Sequence, residues 1–205
     1  MRRTLLALIL SITMLIPGCT SGSDYEFNGG EPMVTGKAPD FTLIDQNGDE
    51  FSLSSTKGNV TVLSFFFANC PDICITSSLN IKFVLDQMGE QNASQVSVVS
   101  VTVDPWRDTP AVAASFAENK SSGWPHLTSP DAGDENRTYP DLEGVWGDYL
   151  VDLKMVETGD ERKYLIDHVL PTYMIDRDHQ IRTVWLGTDW DPSMFQQDLE
   201  HLVKE

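Results

Sequence analysis

Cysteine is scarce in this chain. Three residues carry a thiol, Cys19, Cys70 and Cys74, which excludes a disulfide-stapled scaffold. Cations are scarce too: 14 Lys and Arg face 31 Asp and Glu, for a net charge of −17. A surface this short of cations repels phosphate, which argues against nucleic acid and anionic lipid head groups as partners. The acidic residues are scattered rather than clustered and read as a solubility feature suited to a saline exterior. A membrane-spanning helix needs about 20 apolar residues, and the apolar run at residues 5–16 falls short of that. No internal repeat is visible.

That short run has a different meaning. Met1-Arg2-Arg3 supplies a positive start, residues 5–16 an apolar middle, and Pro17-Gly18-Cys19 a small-residue exit, the pattern of a secretory signal over residues 1–18. Ile16-Pro17-Gly18-Cys19 resembles a lipoprotein processing site, where cleavage before Cys19 leaves that cysteine lipidated at the new N-terminus. An ordinary cleaved signal or an uncleaved anchor are the alternatives. All three put the folded part outside the cytoplasm, and lipidation would anchor it to the outer face of the cytoplasmic membrane. Residues 20–36, rich in Ser, Gly, Asp and Asn, read as a flexible tether, so the expected organisation is tether at 19–37 and one domain at 38–205.

Within the domain, residues 41–53 read as a hairpin with Asn47-Gly48 at positive φ in the turn. Residues 60–67 are apolar almost throughout, as expected of a strand covered on both faces. Residues 75–89 place Leu79, Phe83, Val84 and Met88 at helical spacing before Gly89. Residues 96–103 read as a second buried strand, 110–119 as a helix opened by Pro110, and 165–176 as a strand broken by Pro171. Residues 181–186 then read as a strand and 192–203 as a closing amphipathic helix, while 129–161 is irregular, acidic and Gly-rich. This order predicts an α/β, thioredoxin-like fold with a central mixed sheet, an N-terminal β-hairpin and flanking helices.

The chemistry concentrates at Cys70-Pro71-Asp72-Ile73-Cys74, between a buried strand and a helix N-terminus. The positive end of a helix dipole lowers a thiol pKa and populates thiolate. The four-residue offset puts both sulfurs on one helical face, which makes either a redox pair or half of a metal site. A structural bridge is the bland alternative, but it would close too short a loop to stabilise much. His168, beside Asp167, is expected at the start of a late strand next to the one leading into Cys70, from where its imidazole could reach the sulfurs. His126, His179 and His201 read as surface or structural residues. In Asp104-Pro105-Trp106-Arg107-Asp108-Thr109-Pro110, either Asp108 or Thr109 can cap the helix that Pro110 opens. Leu170-Pro171-Thr172 reads as a cis-proline facing the cysteines or as an edge-strand proline.

Three linked segments, Phe67-Ala68-Asn69-Cys70-Pro71-Asp72-Ile73-Cys74, Val103-Asp104-Pro105-Trp106-Arg107-Asp108-Thr109-Pro110 and Asp167-His168, stand in an order and spacing that resembles the SCO/SenC family. The likeness runs over residues 38–203, with departures at Ile75, Trp106 and Pro171. It implies a membrane-tethered thioredoxin fold holding one copper ion, as Cu(I) or Cu(II), through Cys70, Cys74 and His168. It further implies a role in assembling the dinuclear copper site of cytochrome c oxidase, by copper delivery, by reduction of that site's cysteines, or both. The donor set agrees: two thiolates and an imidazole suit copper, whereas structural zinc wants four protein ligands. Such a protein has no turnover of its own, and its partner is a copper-accepting oxidase subunit. The competing reading is a thiol-disulfide oxidoreductase acting on exported thiol proteins without copper. A peroxide-reducing enzyme of related fold is disfavoured, because the Cys pair is not what peroxide chemistry requires.

Overall fold

The computed structural model describes residues 25–69, 73–120, 122–159, 164–168, 170–187 and 190–205, with the backbone alone for 73–75, 120, 167 and 168. The first elements are strands β1 (Thr42–Ile44) and β2 (Glu50–Ser52), paired antiparallel, with a 3-10 turn at Leu53–Thr56. Strand β3 (Val60–Phe66) leads toward helix α1 (Ile73–Met88), followed by the short helix α2 (Glu90–Ala93), β4 (Val96–Thr102), α3 (Pro110–Lys120) and β5 (His126–Leu127). Helix α4 (Pro140–Asp148), β6 (Leu153–Glu157), β7 (Tyr164–His168), β8 (Pro171–Ile175), β9 (Ile181–Leu186) and α5 (Pro192–Lys204) complete the chain.

Five strands form the central sheet in the order β5-β4-β3-β8-β9. β3, β4 and β5 run parallel, while β8 and β9 run antiparallel to their neighbours, so the sheet is mixed. All seven residues of β3 and all five of β8 are buried, because each lies between two strands and under a layer on both faces. One face carries Val60, Val62, Met174 and Trp185 against Ile81 and Val84 of α1 and Phe195, Leu199 and Leu202 of α5. The other carries Leu63, Phe65, Val99 and Val101 against Phe116 of α3, Leu142 and Trp146 of α4, and Tyr149.

Several expectations change. The stretch 129–161, read as irregular, contains α4 and β6. Its helix is signalled by Pro140 at the first turn and by Leu142, Val145 and Trp146 at buried spacing, three residues too few to stand out among acidic ones. The segment 165–176 is two strands of different sheets: β7 pairs with β6 apart from the central sheet, and β8 pairs with β3. Of the helical pattern, Val84 and Met88 are buried as expected, whereas Leu79 and Phe83 are 47% and 53% exposed and Ile81 takes a place in the core. In the hairpin turn Gly48 takes φ +86°, and Asn47 does not need positive φ because the Asp45 carboxylate accepts its backbone N–H at 2.8 Å.

The supposed tether is also fastened from residue 25 onward. The buried carboxylate of Asp198 on α5 accepts from the Tyr25 hydroxyl and from the backbone N–H groups of Asn28 and Gly29, each at 2.9 Å. Gly30 and Lys37 bridge to Val184 and Gln180. A Cβ on Gly29 would collide with Thr183 Oγ1 and the Trp185 indole, so a glycine is needed for this close approach. Composition predicted flexibility; hydrogen bonds to one buried acid override it.

Candidate metal centre

Cys19 and Cys70 lie outside the described residues. Cys74 stands at the second position of α1, in its first turn. His168 is the last residue of β7, in register with Leu153 of β6, rather than at the start of a strand beside β3. The strand next to β3 is β8, while β7 lies with β6 in a separate two-stranded sheet.

Backbone topology nevertheless brings the cysteine segment and the histidine segment to one end of the sheet. β3 and β8 pair antiparallel with Leu63 opposite Tyr173. The N-terminal end of β8, which β7 precedes by two residues, therefore lies level with the C-terminal end of β3, which feeds residues 67–70. Leu170 is buried there and its carbonyl accepts the Gly187 N–H at 3.2 Å. Pro171 opens β8 at a trans peptide bond, opposite Leu186. It sits past the last residue that pairs with β3, where its missing N–H costs no ladder bond, so it is neither a cis-proline nor an edge-strand one.

The 104–108 turn after β4 departs most from its expected role. Thr109 is the cap of α3, accepting the Val112 N–H at 3.3 Å. Asp108 turns inward and is buried, with both carboxylate oxygens 3.2 Å from the backbone N of Ala68, two residues before Cys70. The Thr102 hydroxyl donates to Asp108 at 2.6 Å, and the Thr128 hydroxyl donates to the Asp108 carbonyl at 2.7 Å. Burial, then the neighbouring Asp104, push the Asp108 carboxyl up to about 7, against the opposing pull of the Thr102 and Ala68 donors and of Arg107.

Asp104 is buried as well. It accepts from the Tyr164 hydroxyl at 2.6 Å and pairs with the Arg107 guanidinium at 2.5 Å. Burial raises its carboxyl pKa more than these partners lower it. The guanidinium lies 3.8 Å from the centroid of the Tyr164 ring, and its Nη1 donates to the Tyr164 carbonyl at 3.1 Å. Sequence reasoning gave these residues no role beyond capping. The available signal was a pair of acids four apart with an arginine between them, directly after an apolar strand.

The other histidines are structural. His126 is buried, with Nδ1 3.0 Å from the Trp124 carbonyl, and burial depresses its pKa to about 4. His179 Nε2 lies 3.2 Å from Thr56 Oγ1, and His201 stacks on Tyr25 with ring centroids 3.7 Å apart. Among the described residues, no group of three His, Cys, Asp or Glu side chains is placed to hold a metal, so the acidic surface offers no rival centre there.

A mixed sheet of this order, wrapped by helices on both faces and carrying a Cys pair where β3 passes into α1, defines a thioredoxin-like domain. Bradyrhizobium japonicum ScoI, solved with copper bound, superposes with TM-score 0.68 at 30% identity, covering 81% of this chain and 99% of that one. Copper-bound yeast Sco1 gives 0.68 at 25% identity, over 82% and 89%. The SCO1/SenC family model matches residues 32–204, and the chain belongs to that family. Among curated relatives, the SCO2-like protein RP587 of Rickettsia prowazekii is 34% identical over 74% of this chain and 70% of its own length. Mitochondrial SCO2 of Saccharomyces cerevisiae is 27% identical over 74% of this chain, which spans 48% of that protein. For the SCO2-like protein of Rickettsia felis, 35% identical, the share is 63%.

Proposed function

We propose that this domain binds one copper ion through Cys70, Cys74 and His168 and serves assembly of the dinuclear copper site of cytochrome c oxidase. The observation that carries the reading is the family membership together with the 30%-identical relative solved with copper bound. The backbone topology supports it, since the C-terminal end of β3, which precedes Cys70 in the chain, lies level with the N-terminal end of β8, which follows His168. Two thiolates and an imidazole suit a soft ion, and a three-ligand site empties more readily than a four-ligand one. The chain's own contribution is to populate thiolate at the α1 N-terminus and to hold the histidine strand close by. Oxidation of the pair to a disulfide removes both thiolates, so redox state gates loading and the same cysteines can reduce those of a partner.

The decisive measurement is metal content and free-thiol count of protein purified under reducing conditions, with Cys70→Ser, Cys74→Ser and His168→Ala alongside the wild type. One copper per chain is expected in the wild type, lost in both serine variants and severely weakened in His168→Ala. Thiol-disulfide exchange should survive in His168→Ala. Unchanged copper affinity in that variant rejects His168 as a ligand, and a wild type that binds no copper leaves the copper-free oxidoreductase.

The domain is proposed to work outside the cytoplasm, tethered through lipidated Cys19 to the outer face of the cytoplasmic membrane. In cells expressing the full chain, Cys19→Ser should move the protein from the membrane to the soluble fraction. Retention in the membrane would point to an uncleaved anchor.

A further inference from the structure

Two carboxylates, Asp104 and Asp108, are drawn fully out of water within one five-residue turn, and the partly buried Arg107 stands between them. Burying charge is costly, and replacing such groups by apolar ones is often neutral or stabilising. Capping α3 does not require it, since Thr109 supplies the cap. What the three side chains do is reach in two directions. Asp108 holds the backbone N–H of Ala68, the last described donor but one before Cys70. Arg107 and Asp104 hold Tyr164 at three points, its carbonyl, ring face and hydroxyl, four residues before His168 on the same strand.

The two grips are one rigid unit. The Asp108 N–H donates to the Asp104 carbonyl at 2.8 Å, the Arg107 N–H donates to the same oxygen at 3.0 Å, and Thr102 links both acids through its hydroxyl. β7 also buries Ile166 in the core. It pairs with β6, which is mostly exposed, rather than with the central sheet.

We infer that the turn formed by Asp104, Pro105, Trp106, Arg107 and Asp108 is the positioning element that sets the spacing between the Cys70 arm and the His168 arm. Asp108 acts on the cysteine arm, and Arg107 with Asp104 acts on the histidine arm through Tyr164. The inference rests on the copper-site reading above. None of these side chains is itself proposed as a ligand.

The test uses the full-length reduced chain and two readouts. Cu(I) affinity is measured by competition with bathocuproine disulfonate for Tyr164→Phe, Arg107→Lys and Asp108→Asn, each with His168 present and with His168→Ala. Tyr164→Phe and Arg107→Lys are expected to weaken Cu(I) binding about 3- to 10-fold when His168 is present and not at all in the His168→Ala background. Asp108→Asn is expected to weaken it in both backgrounds, because it acts on the cysteine arm. A general structural defect would instead lower affinity equally in both backgrounds for all three variants, which overturns the inference, as does no loss in any of them.

Amide hydrogen exchange of the metal-free chain is the second readout. Asp108→Asn should speed exchange at Ala68 and leave Ile166 unchanged, and Tyr164→Phe should do the reverse. Unchanged exchange at both positions overturns the inference whatever copper does. If His168→Ala leaves Cu(I) affinity unaltered, the ligand reading fails, and the exchange data then judge the turn separately.

Discussion

Asp108 and His126 make opposite demands on pH. With its carboxyl held at about 7, the folded chain keeps a proton on Asp108 that the unfolded chain has released above about 4. That group therefore makes stability fall as pH rises from about 4 to 7. His126, depressed to about 4, stays neutral in the fold while the unfolded chain protonates it below about 6.5. That group makes stability fall as pH drops through the same window. At roughly 1.4 kcal/mol per pH unit of displacement, each is worth a few kcal/mol, and between them they nearly cancel. Asp108→Asn removes one side of the balance. Its urea midpoint should decline steeply from about pH 6.5 to 4.5 while the wild type changes little; parallel profiles would show that Asp108 does not carry the proton assigned to it.

Helix α5 does more than close the core. Its amphipathic face buries Phe195, Leu199 and Leu202, while Asp198, also fully buried, reaches out to the N-terminal segment. Removing that carboxylate strands the donors of Tyr25, Asn28 and Gly29, at about 1–3 kcal/mol for each that water cannot reach. Asp198→Ala should cost on the order of 2–4 kcal/mol by urea denaturation and open residues 25–37 to limited proteolysis. Resistance equal to wild type would mean that the backbone bridges of Gly30 and Lys37 suffice. The β3 and β9 strands were legible as elements, because β3 is nearly continuous in apolar residues and β9 is rich in β-branched and aromatic ones. α4 was not, since its three core residues acquire meaning only when a sheet is there to receive them.

The molecule as a whole carries 17 more negative than positive charges, and self-repulsion of such a surface opposes the compact state. Raising salt from about 0.01 M to about 0.5 M shortens the screening length from about 30 Å to a few Å. The urea midpoint at neutral pH should therefore rise with salt; a fall would show that attractive pairs such as Arg182 with Glu205 outweigh the net repulsion. Local order along the chain was open to direct reading: where apolar runs, Pro at helix starts and Gly48 stand is a matter of neighbours within a few residues. So was the place of Cys74 at the head of a helix. The course of 165–176 was not, because pairing partners are chosen across long separations: β7 took β6 and β8 took β3. The burial of Asp104 and Asp108 was equally hidden. The pair of acids with an arginine between them marks the turn, but a carboxylate becomes a buried anchor only when folding delivers an Ala68 amide and a Tyr164 hydroxyl from distant parts of the chain.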